Sequence, residues 1–198
     1  MAEPWQPLLD WWFGSAKTPD EISADRGKLW FGKRHDRQAN ERFGDQVELA
    51  LAGELTDWAQ RPEGWLALVL LLDQLPRMIF RDTPKAFSGD LRAQALVAQG
   101  MAADFDRQLK PIQRVFIYLV LEHCENLAVQ NEAVSRFIDL VRDQPEAQRA
   151  VFEDNLDYAE RHQKIIARFG RFPHRNAVLG RESTADELEF LSRPGSRF

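Results

Sequence analysis

Apolar residues recur along this chain at intervals of three and four, the repeat of an amphipathic helix, and seldom alternate as in a strand. A first helix is predicted over Gln6 to Phe13, stopping at Gly14, and Pro19, Asp20 and Glu21 start a second. A longer one runs from about Asp36 to Leu55, with Phe43, Val47, Leu51 and Leu55 in one stripe. Arg61, Pro62 and Glu63 mark a break. Gly64 to Leu75 is apolar on every side, a profile that belongs in the interior, and Pro76 ends or kinks it. Ser88 is the predicted N-cap of a helix reaching about Ala103.

Pro111 opens a second all-round apolar helix, Ile112 to Ala128, which continues or re-forms toward Val141. Pro145 starts the last long helix, and Gly170 ends it as the favoured residue just past a C-terminus. Ser183 or Thr184, with Glu187 following, sets up a capping box for a final helix. No linker, low-complexity tract or repeat interrupts this pattern. The expectation is one all-α domain over residues 1–198, built from about eight to ten helices around two central ones.

Composition narrows the class. Apolar residues make up 44% of the chain, with six Trp and 13 Phe, enough for a core and against disorder. The longest apolar run, Trp65 to Leu72, has eight residues, whereas a membrane span needs roughly 20. The N-terminal MAEPWQ carries no signal-like pattern, and one cysteine, Cys124, leaves no internal disulfide framework. A cytoplasmic protein with no membrane association is expected. Trp5, Trp11, Trp12 and Trp30 crowd the N-terminal region and read first as core, second as an aromatic groove for a peptide.

Charge is distributed unevenly. The net charge is −5, yet Arg161 to Arg181 holds five Arg, one Lys and two of the four His, with no acid. Elsewhere 20 cations face 31 acids. Such a segment either pairs with the protein's own carboxylates or is held open for an anion. The overall negative charge argues against nucleic acid as a partner.

The polar clusters that end the two central helices are the natural counterpart. Asp73, Gln74 and Arg77 follow seven aliphatic residues, and Asp73 and Arg77 are spaced i, i+4. In FIYLVLEHCENL, Glu122, His123 and Glu125 enter an otherwise apolar helix. At about 100° per residue, Glu122 and Glu125 lie about 60° apart and His123 projects to another side. A carboxylate on such a helix is costly unless cations or donors meet it. His162 falls on the apolar stripe of Phe152, Leu156, Ala159, Ile166 and Phe169, and so faces inward.

Beyond Gly170, the loop with Arg171, His174 and Arg175 is expected to fold back, so that Glu122, Glu125 and Asp73 meet Arg171, Arg175 and Arg77. Arginine suits this role because its planar fork binds carboxylates and phosphates in a bidentate way. Metal is not expected, because no H-x-x-x-H or E-x-x-H pair is present and cations crowd the region. Cys124 has no clear neighbouring base and reads as inert packing. No phosphate loop, nucleophile elbow or kinase signature occurs, and no cofactor is implied.

These residues also carry a resemblance. LLLDQLPR (Leu70 to Arg77), Phe87 and Asp90, LEHCE (Leu121 to Glu125) with Gln130, His162 with FGRFPHRN (Phe169 to Asn176), and GRESTADE (Gly180 to Glu187) are similar to the motifs of the bacterial domain of unknown function 924. Spread over Trp12 to Leu191, they cover nearly the whole chain. The resemblance implies an all-α fold related to the tetratricopeptide-like superfamily of antiparallel helices, and no established activity. It makes Asp73, Arg77, Glu122, His123, Glu125, His162, Arg171, His174, Arg175 and Asn176 the family-type positions. The family pattern has Pro where this chain has Val120 and Ser where it has Cys124, which weighs against a thiol mechanism.

Two functions fit. In the first, Arg77, Arg171 and Arg175, with Asp73, Glu125, His174 and Asn176 around them, bind a small anionic ligand. His162 or His123 then does acid–base chemistry and Glu122 or Glu125 orients it. In the second, the chain is a helical module for a peptide or protein partner, and the polar cluster is a structural network of ion pairs.

Overall fold

The structure, a computed structural model, describes residues 3–196. Met1 and Ala2 of the N-terminal stretch lie outside the described residues. Among the described residues the chain forms ten α-helices and no strand. They are α1 (Gln6–Phe13), α2 (Pro19–Trp30), α3 (Asp36–Ala52), α4 (Pro62–Leu72), α5 (Gln74–Ile79), α6 (Asp90–Ala102), α7 (Pro111–Glu122), α8 (Leu127–Arg142), α9 (Ala150–Phe169) and α10 (Ala185–Leu191). None is long and apolar enough to cross a membrane.

The two all-apolar helices sit at the centre. Every residue of α4 from Gly64 to Leu72 is buried, and α4 packs on α3, α5, α6 and α7. The second, α7, meets α4, α6, α8 and α9. The N-terminal tryptophans fill this core instead of lining a groove: Trp12 stands edge-on to Phe116 at 5.4 Å, and Trp30 meets the same ring at 4.9 Å. The Trp30 indole N–H donates to the Trp12 carbonyl at 2.9 Å, so its polar atom is satisfied inside.

Three breaks in the helical pattern aim the site. An uninterrupted helix would press the Pro76 ring against the Leu72 carbonyl, so α4 stops at Leu72 and α5 restarts at Gln74 with Pro76 in its first turn. Asp73 is the joint between them. The chain leaves α7 at Glu122, and the Gln130 amide, donating to the carbonyls of Glu122 and Cys124, secures the departing segment. Asn126 then caps α8 through the amides of Ala128 and Val129. Gly170 ends α9 with φ 69° in the left-handed region, where glycine carries no Cβ penalty. A 3₁₀ turn over Pro173–Arg175 follows, and Thr184 and Glu187 form the capping box of α10.

Several boundaries differ from the sequence reading. Leu55 lies past the end of α3, which Gly53 closes. Pro62 opens α4 where a break was expected, because proline suits a first helical turn. Ser88 does not cap α6; Gly89 takes that place. Its lack of a side chain matters, because a Cβ there would collide with the Leu72 carbonyl oxygen. The missing Cβ lets Asp90 dock beside the α4–α5 joint.

Candidate functional site

Asp73 is buried to 1% exposure, and three partners converge on it. Gln74 Nε2 donates to Oδ2. His123 Nδ1 lies 2.9 and 3.0 Å from the two carboxylate oxygens. Arg77 Nη2 stands 3.4 Å from Oδ1. Burial pushes the carboxyl up, but Arg77 and His123 outweigh it and hold Asp73 below the ordinary carboxylate range. Asp73 is therefore a fixed negative charge beneath His123.

Arg77 is committed. Its Nη1 and Nη2 reach the two oxygens of Asp90 at 2.8 and 3.1 Å, and Nη1 also donates to the Asp73 carbonyl at 3.0 Å. Its guanidinium also lies over the Phe87 ring, 5.4 Å from the centroid.

His123 occupies the C-cap of α7, with its side chain 16% exposed. Both contacts to Asp73 use Nδ1, so Nε2 is the ring atom left for a proton transfer. Burial pulls the imidazole below its ordinary range; Asp73 opposes that and Arg77 and Arg175 add to it. The carboxylate thus fixes the ring and its tautomer, as in the orienting pairs of acid–base catalysts.

Arg175 is the anomaly. It is 7% exposed, and its Nε is buried with no hydrogen-bond partner. The carboxylate it pairs with, Asp90, approaches only to 3.6 Å from Nη1, beyond hydrogen-bond range. Asp90 spends both oxygens on Arg77. Arg175 instead lies over the rings of Phe172 at 4.5 Å and Phe87 at 5.0 Å. Burial, with help from Arg77, pulls the guanidinium down to about 10.

The other sequence-predicted residues fall into separate pairs. Glu122 is the last residue of α7, and its Oε1 meets His162 Nδ1 at 2.8 Å, while that nitrogen also lies 2.8 Å from the Tyr158 carbonyl. His162 faces inward, as its stripe predicts, and its ring lies 6.5 Å from that of His123. Glu125 has left the helix. It takes the Phe172 amide at 2.7 Å and both terminal nitrogens of Arg181, at 2.6 and 2.9 Å. Arg181 closes this clamp by donating to the Phe172 carbonyl at 3.1 Å.

Arg171 goes elsewhere, to Glu187 at 2.6 and 2.8 Å and the Glu182 carbonyl at 2.8 Å. Asn176 joins the same carboxylate at 3.2 Å and the Ser183 hydroxyl at 3.0 Å. His174 stays neutral, because burial and the charge of Arg175 pull it down to about 3. Cys124 is half-buried, and burial pushes its thiol up, away from the reactive thiolate. No group of three or more His, Cys, Asp or Glu among the described residues is arranged to hold a metal ion.

A family model described as "Bacterial protein of unknown function (DUF924)" matches residues 8–195. The chain belongs to this family. It is also similar to a solved structure of a protein of unknown function from Agrobacterium tumefaciens. That likeness has 33% identity and a TM-score of 0.79, and covers 95% of this chain and 96% of that one. No curated protein matches.

The DUF924 motifs are thereby sorted in space. Those around Asp73, His123 and Arg175 converge, whereas Arg171 and Asn176 meet at α10, away from the central carboxylates. The expected pairing of Glu122 and Glu125 with Arg171 and Arg175 is not found; of the three expected cations only Arg77 meets its carboxylate, Asp73. The physical reason is that α7 stops at Glu122, so Glu125 points along a loop toward Arg181. Sequence reasoning passed over Asp90, Arg181 and Glu187 as partners. Arg181 and Glu187 sit in GRESTADE, where the capping-box pattern gave Glu187 one role and the fold adds a second.

Proposed function

We propose that this protein binds a small anionic ligand at Arg175 and acts on it by acid–base chemistry through His123, with Asp73 as the residue that orients the ring. The observation that carries this reading is Arg175 itself. A buried arginine whose Nε has no hydrogen-bond partner is expensive, and an oxyanion is a natural partner for an arginine so poorly paired. His123 supports it because Nε2 is uncommitted on a side chain that keeps some exposure. His162 is the lesser candidate, since its Nδ1 is held between Glu122 and Tyr158 in the interior.

A thermal-shift screen tests the reading, using sodium acetate, inorganic phosphate and sulfate with chloride controls. At least one oxyanion should raise the Tm of the parent and leave that of Arg175→Met unchanged. A parent protein indifferent to every oxyanion contradicts it.

A second reading is a tetratricopeptide-like module for a peptide. In its favour, α8 and α9 pack as an antiparallel pair, with Gln163 donating to Asn131 at 2.8 Å, and a groove of about 400 Å³ opens along α6, α7 and α8 beside Met101, Leu121 and Val129. Under it, a partner captured by the parent should be lost on Met101→Glu and retained on Arg175→Met.

A further inference from the structure

We infer that the ligand is a carboxylate monoanion, and that it enters together with one proton, which His123 holds. This rests on the anion site proposed at Arg175 and specifies what that site takes.

The first part follows from shape. The rings of Phe172 and Phe87 lie 4.5 and 5.0 Å from the guanidinium carbon, so aromatic rings meet this group where oxygen acceptors would otherwise be expected. Nε is buried and has no hydrogen-bond partner. A flat, two-oxygen group matches an edge-on guanidinium fork.

The second part follows from charge. Arg77 and Arg175 face Asp73 and Asp90, so these four charges balance with His123 neutral. Nearby, Glu125 is matched by Arg181 and Glu187 by Arg171, and Glu122 meets His162. An added anion leaves one negative charge uncompensated in a site where Asp73 and Arg175 are both buried, which is costly.

The groups that face His123 decide where compensation comes from. Asp73 approaches from the α4–α5 joint, Arg77 from α5, Arg175 and His174 from the turn after α9, and His162 from α9; Asp90 of α6 lies behind Arg77. Arg77 is spent on carboxylates, His174 is held neutral, and His162 is engaged by Glu122. His123 combines a carboxylate under Nδ1 with an uncommitted Nε2 on a side chain 16% exposed, whereas His162, also held by a carboxylate at Nδ1, is 7% exposed. Neutralising Arg175 removes one of the two cations that repel a proton there and leaves the pull of Asp73 in place. The coupling is reciprocal: the anion raises the affinity of His123 for a proton by the factor by which the proton raises the affinity for the anion. A dianion needs a second proton that the cluster does not offer, so the site favours carboxylate over sulfate.

The test follows the His123 ring by NMR during titration with sodium acetate or sodium sulfate at constant ionic strength, the signal being assigned by its loss in His123→Gln. Acetate should raise the His123 pKa by about one unit or more. Above the raised value, acetate should weaken about tenfold per pH unit, the slope of one linked proton. His123→Gln should bind acetate with little pH dependence, and Arg175→Gln or Arg175→Met should lose the response. If acetate binds equally at every pH and leaves His123 unmoved, the proton linkage is overturned while the anion site stands. Tighter binding of sulfate than of acetate overturns the monoanion assignment alone. If neither anion binds, the inference and the anion site fall together.

Discussion

Arg181 and Arg175 are six residues apart in one acid-free segment, yet they meet opposite fates. The terminal nitrogens of Arg181 make three hydrogen bonds, two to Glu125 and one to the Phe172 carbonyl, on a side chain 25% exposed. Arg175 is far more deeply buried and makes no such bond, its carboxylate partner being shared and 3.6 Å away. Nε is buried without a partner in both residues, so the difference lies in the terminal nitrogens, which Arg181 uses and Arg175 does not. A guanidinium placed only to hold helices together would sit where its donors are used, because leaving them idle in the interior costs stability. On the proposed reading, the difference separates a structural arginine from one kept for a ligand.

The comparison can be broken at either end, and Glu125→Ala strikes the clamp hardest. It removes both Arg181 bonds and strands the Phe172 amide, so about 3 kcal/mol of stability should go, from lost charged hydrogen bonds plus an unsatisfied donor. For a chain of this size that is a Tm drop of about 6–12 °C. A loss within error of zero in urea unfolding counts against the clamp.

Acid should act next. His123 and His174 are held below their ordinary value of 6.5 in the fold, so the unfolded chain takes their protons first as pH drops. Stability is complete above about pH 6.5 and falls below it, the His174 contribution running down to about pH 3, by up to ~1.4 kcal/mol per pH unit for each group. Asp73, held low, acts in the same direction: its contribution is present above the ordinary carboxylate range and is lost only in stronger acid. Urea midpoints measured between pH 4.5 and 8 read this slope, and a flat profile denies that the histidines are buried neutral.

Arg171→Ala should cost less than Glu125→Ala, since Arg171 is 30% exposed and Glu187 keeps Asn176 and the Thr184 amide as partners. It should leave any response to acetate intact. A variant that folds but loses that response would move the anion site toward α10.

Most of the fold was legible in the sequence, for identifiable reasons. The continuous apolar runs of α4 and α7 demanded burial, Gly170 marked a stop, and the spacing of Thr184 and Glu187 marked a start. The stripe that carries His162 aimed it inward. The site was legible in membership and much less in pairing. Which carboxylate meets which arginine depends on where α7 lets go, and no proline or glycine announces that point; a side-chain amide eight residues on, from Gln130, holds it. Asp90 reaches Arg77 because Gly89 slips against the Leu72 backbone, a contact between segments that no local pattern encodes.

The smallest expected change in stability carries the largest consequence, in Arg175→Met. Urea unfolding of this variant beside the parent, each with and without sodium acetate, tests directly whether Arg175 is kept for a ligand. Replacing an ill-paired buried charge by an apolar side chain of similar length should leave stability within about 1 kcal/mol of the parent, or raise it, while the stabilisation by acetate disappears. A loss of about 3 kcal/mol with the acetate response unchanged would contradict the account and make Arg175 one more structural arginine.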